Sequence, residues 1–339
     1  MKVSHILPFG EIFYGKHKGA IGIFLENAAN NNSEYTECCV EEPPKHWRLF
    51  ASFPGVRRAI RWRYYASILE NLNRYDCVVV HNDIELVLSI DRKGKGKKII
   101  FHLHNEYDLS ALKSATCLMG VIVCSPYLLG HAKSYDLGVS VCVVPNGASF
   151  DTKVQSRLNK RRYQLGFVGR LDNNKGFKTI AGYLKRSNAD FVVVAAKTPL
   201  SLRNIPIIFY LIYIAITCAE RCTVRYNKSH ANVIKTMREV DVLLVPTQYQ
   251  EAFGMVALEG IACGSCVISN SVGGLTDVDV MSGKFYVNGK LEERGLNSLL
   301  GDRKKQEYIK DQQRNSAMSY DWSNISQQYR EVLASLCIL

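Results

Sequence analysis

The sequence predicts an α/β protein of two domains, each built on a parallel sheet. Three observations carry this. Runs such as residues 77–81, 121–125, 191–196 and 242–245 are apolar almost end to end, as strands covered on both faces are. Each run stops at a histidine, lysine, serine–proline or proline, and a segment of helical period follows in most cases. At 339 residues the chain is long enough for two hydrophobic cores.

Taken in order, residues 3–8 form a first strand and residues 9–18 a loop holding Gly10, Gly15, Lys16 and Lys18. Gly19 then opens a helix that runs to about Ala29. A glycine at that turn lets a ligand come close to the backbone. The dinucleotide fingerprint GxGxxG is absent there. Residues 77–81 and 99–104 are the next strands, separated by a basic turn at 92–98. His102 and His104 fall on one face of the second of these, His104 at its end. A strand at 121–125 leads into a helix opened by Pro126, and a strand at 141–145 ends at Asn146-Gly147. The polar, basic stretch 149–162 reads as an interdomain linker.

The second domain opens with a strand at 163–168, the loop Gly169-Arg170-Leu171-Asp172-Asn173-Asn174-Lys175-Gly176, and a helix from Phe177. Strands at 191–196 and 223–226 and a helix at 229–239 follow. The longest apolar run, 205–219, contains Tyr210, Tyr213 and Thr217; a core helix is the first reading and a membrane-dipping helix the second. The strand 242–245 stops at Pro246, and a polar loop then carries Glu251. Phe253-Gly254-Met255 opens a helix with Glu259 inside it, and the strand 266–269 leads to Gly273-Gly274. Two carboxylates and two sets of bare backbone amides thus converge at one strand-end face, where open α/β sheets bind ligands. Asp277-Val278-Asp279 reads as a helix start rather than a metal motif, and no metal is assigned. From Leu291 the chain is helical, and residues 320–323 start a last amphipathic helix.

Lys and Arg number 43 against 31 Asp and Glu, so the net charge of +12 points to anionic partners: nucleic acid, an acidic lipid surface or phosphorylated substrates. Residues 45–65 interleave Trp47, Phe50, Phe53, Trp62, Tyr64 and Tyr65 with five arginines. That pattern suits an anionic membrane interface or single-stranded nucleic acid. It equally suits a plain helix with Trp62 and Tyr65 packed inward and its arginines in water. No signal peptide and no membrane span are read, so a cytoplasmic location is expected, with peripheral contact at the inner membrane face. Eleven scattered cysteines fit reduced, buried thiols, and the lone Cys263–Cys266 pair reads as packing.

Glu251 and Glu259, with Phe253-Gly254 between them and Gly273-Gly274-Leu275 downstream, resemble the paired-glutamate motif of retaining GT-B glycosyltransferases of family 4. The resemblance spans nearly the whole chain. It also takes in Gly19, His104-Asn105-Glu106, Pro145-Asn146-Gly147 and the Arg170…Lys175-Gly176 loop. It is nearest to lipopolysaccharide core N-acetylglucosaminyltransferases. It implies two doubly wound Rossmann-like domains facing across a cleft. The domains would be an acceptor-side domain at 1–150, a nucleotide-sugar domain at 160–318 and a helix at 319–339 crossing back. It implies transfer of GlcNAc or a hexose from a UDP-sugar, the co-substrate, to a hydroxyl of a cell-envelope glycan, with retention and with neither metal nor cofactor. By the same resemblance Arg170 and Lys175 neutralise the donor diphosphate, and His104 and Glu251 face the transferred sugar. Glu259 holds the ribose, and Gly19, Phe253, Gly254, Met255, Gly274 and Leu275 line the donor. The chain departs from the family at Ala196-Lys197-Thr198-Pro199, where a glycine-rich turn is usual, which leaves the base pocket open. Rival readings are another GT-B enzyme with a different acceptor, a sugar phosphorylase of the same fold, and a basic membrane- or RNA-binding module without catalysis. Nucleic acid is not expected as a partner.

Overall fold

In a computed structural model of the chain, the described residues are 2–9, 11, 19–29, 39–41, 54–94, 96–150, 163–172, 174–196, 205–278, 285–287 and 290–338. Two compact units emerge. One comprises Met1–Asn146 with Trp322–Leu339, and the other Gly147–Asp321.

The first unit holds a six-stranded sheet: β1 (Val3–Ile6), β2 (Cys39–Glu41), β3 (Cys77–His81), β4 (Lys98–Leu103), β5 (Leu118–Val123) and β6 (Ser140–Val143). The order is β2-β1-β3-β4-β5-β6 with every pairing parallel. The valines of β3 and the apolar residues of β4 are fully buried, as parallel strands covered on both faces require. Four helices connect these strands: α1 (Ala20–Phe24), α2 (Pro54–Asn71), α3 (Ile84–Lys93) and α4 (Pro126–Lys133). Ser125 caps α4 by accepting from the Leu128 amide, with Pro126 inside the first turn. The order reverses between β1 and β3, which marks the switch point of this sheet.

The second unit holds β7 (Tyr163–Arg170), β8 (Phe191–Ala196), β9 (Cys222–Tyr226), β10 (Val240–Val245) and β11 (Cys266–Ser269), all parallel in the order β11-β10-β7-β8-β9. Here the order reverses between β7 and β10. The helices are α5 (Phe177–Arg186), α6 (Ile205–Thr217), α7 (His230–Met237), α8 (Met255–Ala262), α9 (Leu275–Val278), α10 (Glu293–Gly301) and α11 (Arg303–Ala317). A short hairpin, β12 (Tyr286–Val287) and β13 (Lys290–Leu291), precedes α10. The last helix, α12 (Trp322–Ile338), belongs to the first unit: Trp322 and Tyr329 meet Phe24 edge-on, and Lys98 donates to the Cys337 carbonyl at 2.8 Å.

Two sequence readings hold only in part. Trp62 does not pack inward; it is 53% exposed, while its neighbours Tyr64 and Tyr65 are buried. Tyr65 goes inward because its hydroxyl donates to Asp83 and Tyr64's donates to the Leu7 carbonyl, which leaves Trp62 on the outer side of α2. Nor is α6 wholly in the core, since one of its faces lies in solvent.

Candidate functional site

The switch point of the second sheet gathers most of the residues singled out in the sequence. β7 ends at Arg170, and the loop to α5 turns at Gly176 in the left-handed region, at φ +69°. A Cβ on Gly176 would stand 1.8 Å from the Pro246 carbonyl oxygen at the end of β10. The Gln248 backbone amide donates a hydrogen bond of 2.7 Å to the Asn174 carbonyl, so the loops after β7 and β10 are laced together by backbone. Gly176→Ala is therefore expected to cost several kcal/mol. Gly96→Ala, at φ +79° but with open space around it, should cost only about 1 kcal/mol of backbone strain. Thermal midpoints of the two variants test this, at roughly 2–4 °C per kcal/mol; equal shifts would refute the steric argument.

That lacing delivers Lys175 to Glu251. The ammonium donates to Glu251 Oε2 at 2.8 Å and to the Tyr249 hydroxyl at 2.9 Å, and lies 5.0 Å from the centre of the Tyr249 ring. Tyr249 in turn donates to Glu251 Oε1 at 3.2 Å. Burial pulls the Lys175 ammonium down, but the charge and hydrogen bonds of Glu251 and Tyr249 outweigh it, and its pKa is raised. Lys175 is thus a fixed cation at a strand end. Arg170 is different: it is half exposed, and its Nε lies 3.2 Å from Asp172. A pair that open to water is worth little, so the guanidinium is free to turn to another anion.

The Gly273-Gly274 loop packs on backbone, and Gly254 packs on the Leu275 side chain. Gly254, at φ +101°, leads into α8 and would strike Leu275 with any Cβ; Gly273, at φ +58°, would strike the Glu251 carbonyl. The Gly274 amide bonds to the Glu251 carbonyl at 2.6 Å, and the Leu275 amide to Val272 at 3.3 Å. Both amides are engaged inside the loop in this conformation. Phe253 is buried against Tyr320, with ring centres 5.7 Å apart. Glu259 lies within α8, 7% exposed, and its Oε1 is 2.7 Å from His230 Nε2. His230 and Tyr249 were not singled out in the sequence. Their only signal there was proximity to strand ends; His230 meets Glu259 29 residues away, and Tyr249 meets Lys175 74 residues away.

In the first unit, Gly19 caps α1 with no positive φ, and a Cβ there would meet the Glu11 carboxylate. His104 is 6% exposed and belongs to a cluster of four imidazoles. Its Nε2 is 2.9 Å from His81 Nδ1, His81 Nε2 is 3.1 Å from His5 Nδ1, and the His102 ring stacks on His104 at 3.9 Å. Burial holds His104 and His5 at about 3, and holds His81 and His102 well below their ordinary value. His104 is thus a neutral hydrogen-bonding group at neutral pH. Ring nitrogens of His81, His102 and His104 lie within 4.8 Å of one another. The His102 and His104 rings are stacked, with their planes 29° apart. Asn105 is exposed, and Glu106 accepts from Tyr127 at 2.9 Å. Lys16, Lys18, Trp47, Phe50, Phe53, Lys197 and the stretch 151–162 lie outside the described residues.

At the switch point of the first sheet a cavity of about 1050 Å³ opens between the loops after β1 and β3. Arg58, Arg61, Trp62, Asp83, Arg92 and Tyr107 line it. Arg61 is occupied by Asp83 at 3.2 Å and Glu85 at 3.0 Å. No carboxylate among the described residues pairs with Arg58 or Arg92.

Comparison with known proteins bears on this arrangement directly. Residues 210–316, which include Glu251, Glu259 and both glycine loops, match the family described as Glycosyl transferases group 1. Residues 210–316 carry a group 1 glycosyltransferase domain. The chain is 24% identical over 307 residues to a lipopolysaccharide 1,2-N-acetylglucosaminetransferase of Salmonella typhimurium, covering 84% of this chain and 78% of that one. Its fold is shared with sucrose-phosphate synthase of Thermosynechococcus elongatus (TM-score 0.71, 15% identity, 99% and 100% of the two chains). It is shared equally with HepE of Anabaena in complex with UDP (TM-score 0.71, 16% identity, 99% and 100%). The architecture is accordingly the GT-B type, with two doubly wound α/β units.

Proposed function

We propose that this glycosyltransferase is a retaining enzyme of family 4. In this reading it moves GlcNAc or a hexose from a UDP-sugar to a hydroxyl of a cell-envelope glycan such as lipopolysaccharide core, with no metal. The observation that carries the reading is the Lys175–Glu251 contact, set beside Arg170 at the switch point of the second sheet. A departing nucleoside diphosphate gathers negative charge, and fixed cations stabilise it without reorganisation at the moment of reaction. Lys175 supplies the fixed cation and Arg170 the mobile one. Glu251 lies between Lys175 and the glycine loops, where it orients sugar hydroxyls. Glu259 accepts from the ribose, and His230 beside it keeps that carboxylate directed. His104, neutral, exchanges hydrogen bonds with the sugar and takes no charge. The leaving phosphate takes the acceptor's proton, so no covalent intermediate is formed. UDP in the Anabaena relative and the named substrate of the Salmonella relative support the choice of donor nucleotide and acceptor. The cavity of the first unit, with Arg58, Arg92 and two exposed aromatic rings, suits a glycan acceptor bearing negative charge.

Calorimetry with UDP and a panel of UDP- and GDP-sugars tests the reading. Glu259→Ala is expected to weaken UDP binding about tenfold or more, the loss of a charge-assisted hydrogen bond. Arg170→Ala should leave UDP affinity within a few-fold and lower turnover by about a hundredfold. Normal transfer rates in both variants would remove Arg170 and Glu259 from the site.

A further inference from the structure

α6 is apolar on every side, yet among the described residues only one of them is covered. Its sequence, IPIIFYLIYIAIT, has no charged residue. Leu211, Ile214 and the following Cys218 are buried against the second unit's core. At 100° per residue these sit opposite Ile205, Phe209, Ile212 and Ile216, which form a stripe of helical period. That stripe lies in solvent: Phe209 is 66% and Ile216 72% exposed, with Ile212 and Tyr213 nearly half exposed beside them. The neighbouring helix α5 shows what a water-facing surface looks like here, presenting Lys178, Lys185 and Arg186 outward. A helix that is apolar all round is normally buried all round, and a contiguous exposed stripe of large apolar side chains marks a surface that meets something else.

We propose that α6 lies in the plane of an anionic phospholipid membrane, with the 205–209–212–216 stripe in the acyl–headgroup boundary. Two observations select a membrane over a second copy of the chain, and a third sets how the helix lies in it. The chain carries a net charge of +12, so pairing two copies brings like charges together, whereas an acidic lipid surface attracts them. The stripe has a cation at its rim: Lys185 donates to the Tyr213 hydroxyl at 2.5 Å, and its ammonium lies 4.6 Å from that ring's centre. A tyrosine with a lysine beside it, at the edge of an apolar face, is the arrangement that headgroup depth favours. Thirteen residues of helix rise only about 20 Å, too short to cross the hydrocarbon core, so the helix lies flat. Among the described residues no helix is long and apolar enough to span. This inference is independent of the sugar-transfer reading and of residues 45–65.

Vesicle flotation of the full chain tests it, using phosphatidylcholine vesicles with and without about one-third phosphatidylglycerol, a content at which the surface potential is substantial. Wild type should float with the anionic vesicles and bind them several-fold less in high salt, where the lysine contribution is screened. Phe209→Glu with Ile216→Glu, both at exposed positions, should reduce flotation at least about tenfold while thermal midpoint and UDP affinity stay at wild-type values. Should the double variant misfold, Tyr213→Trp reads the same contact: its fluorescence should shift blue and be quenched by brominated lipid. No flotation of wild type on any vesicle overturns the proposal. So does flotation that the double variant retains, which would place the contact elsewhere. So does a wild-type dimer in light scattering that the double variant converts to monomer.

Discussion

Lys175→Ala is expected to lower sugar transfer by about a hundred- to a thousandfold, the range for removing a charge-stabilising donor from a buried site. The same change strands Glu251. That carboxylate is 15% exposed, and its remaining partners are hydroxyls: Tyr249 at 3.2 Å and Thr247 at 3.4 Å. Losing the ammonium should therefore destabilise the second unit by about 1–3 kcal/mol as well. The two effects separate in the double variant Lys175→Met, Glu251→Gln. Removing both charges leaves no buried ion unpaired, so most of the stability should return. Transfer should stay low, because the cation facing the diphosphate is still missing. Turnover and thermal midpoint measured on the three proteins decide the matter. If transfer recovers with stability, Lys175 holds the fold and the diphosphate assignment fails.

The strands were legible because parallel sheets bury both faces. Runs such as Cys77–His81 and Phe191–Ala196 are apolar without alternation, and both were placed to the residue. β2 was missed: Cys39–Glu41 is three residues long with a glutamate at its end, and only its pairing with β1 makes it a strand. β7 runs two residues further than expected because Gly169 and Arg170 continue the ladder to Ala195 and Ala196, a pairing no local pattern encodes. At the site, strand ends and glycine signals pointed to Glu251 and Glu259, and the family resemblance pointed to Lys175. The sequence could not show that Lys175 touches Glu251 across 76 residues, nor that Glu259 is held by His230. Those contacts come from the order of the strands. Trp62 and α6 failed for a related reason: composition shows that a residue is apolar, and only packing shows which side of its helix finds a partner.

Acid should unfold the first unit well before it unfolds the second. His5, His81, His102 and His104 are packed ring on ring at the core of the first sheet, with Tyr329 and Phe24 against them. No carboxylate among the described residues makes a hydrogen bond or ion pair with the four rings. Burial holds His5 and His104 at about 3, against about 6.5 in the unfolded chain. The folded state therefore binds fewer protons than the unfolded one throughout that window. The neutral cluster's stability is complete above about pH 6.5 and is lost as pH falls toward 3. At pH 5 these two groups alone withdraw about 2 kcal/mol each, a large part of an ordinary folding margin. His81 and His102 act in the same direction. Protonating one ring also raises the cost of protonating its neighbours, so the cluster should charge together when the unit opens rather than singly in the native state. Thermal scans between pH 7.5 and pH 5 should show a transition of the first unit falling steeply with acid. His102→Leu is the informative variant, since neither ring nitrogen has a partner among the described residues and the site is fully buried. It should hold or raise the midpoint at pH 7.5, because a polar group without partners is replaced by an apolar one, and it should flatten the acid slope. An unchanged slope in His102→Leu would mean that the imidazoles are not what acid attacks.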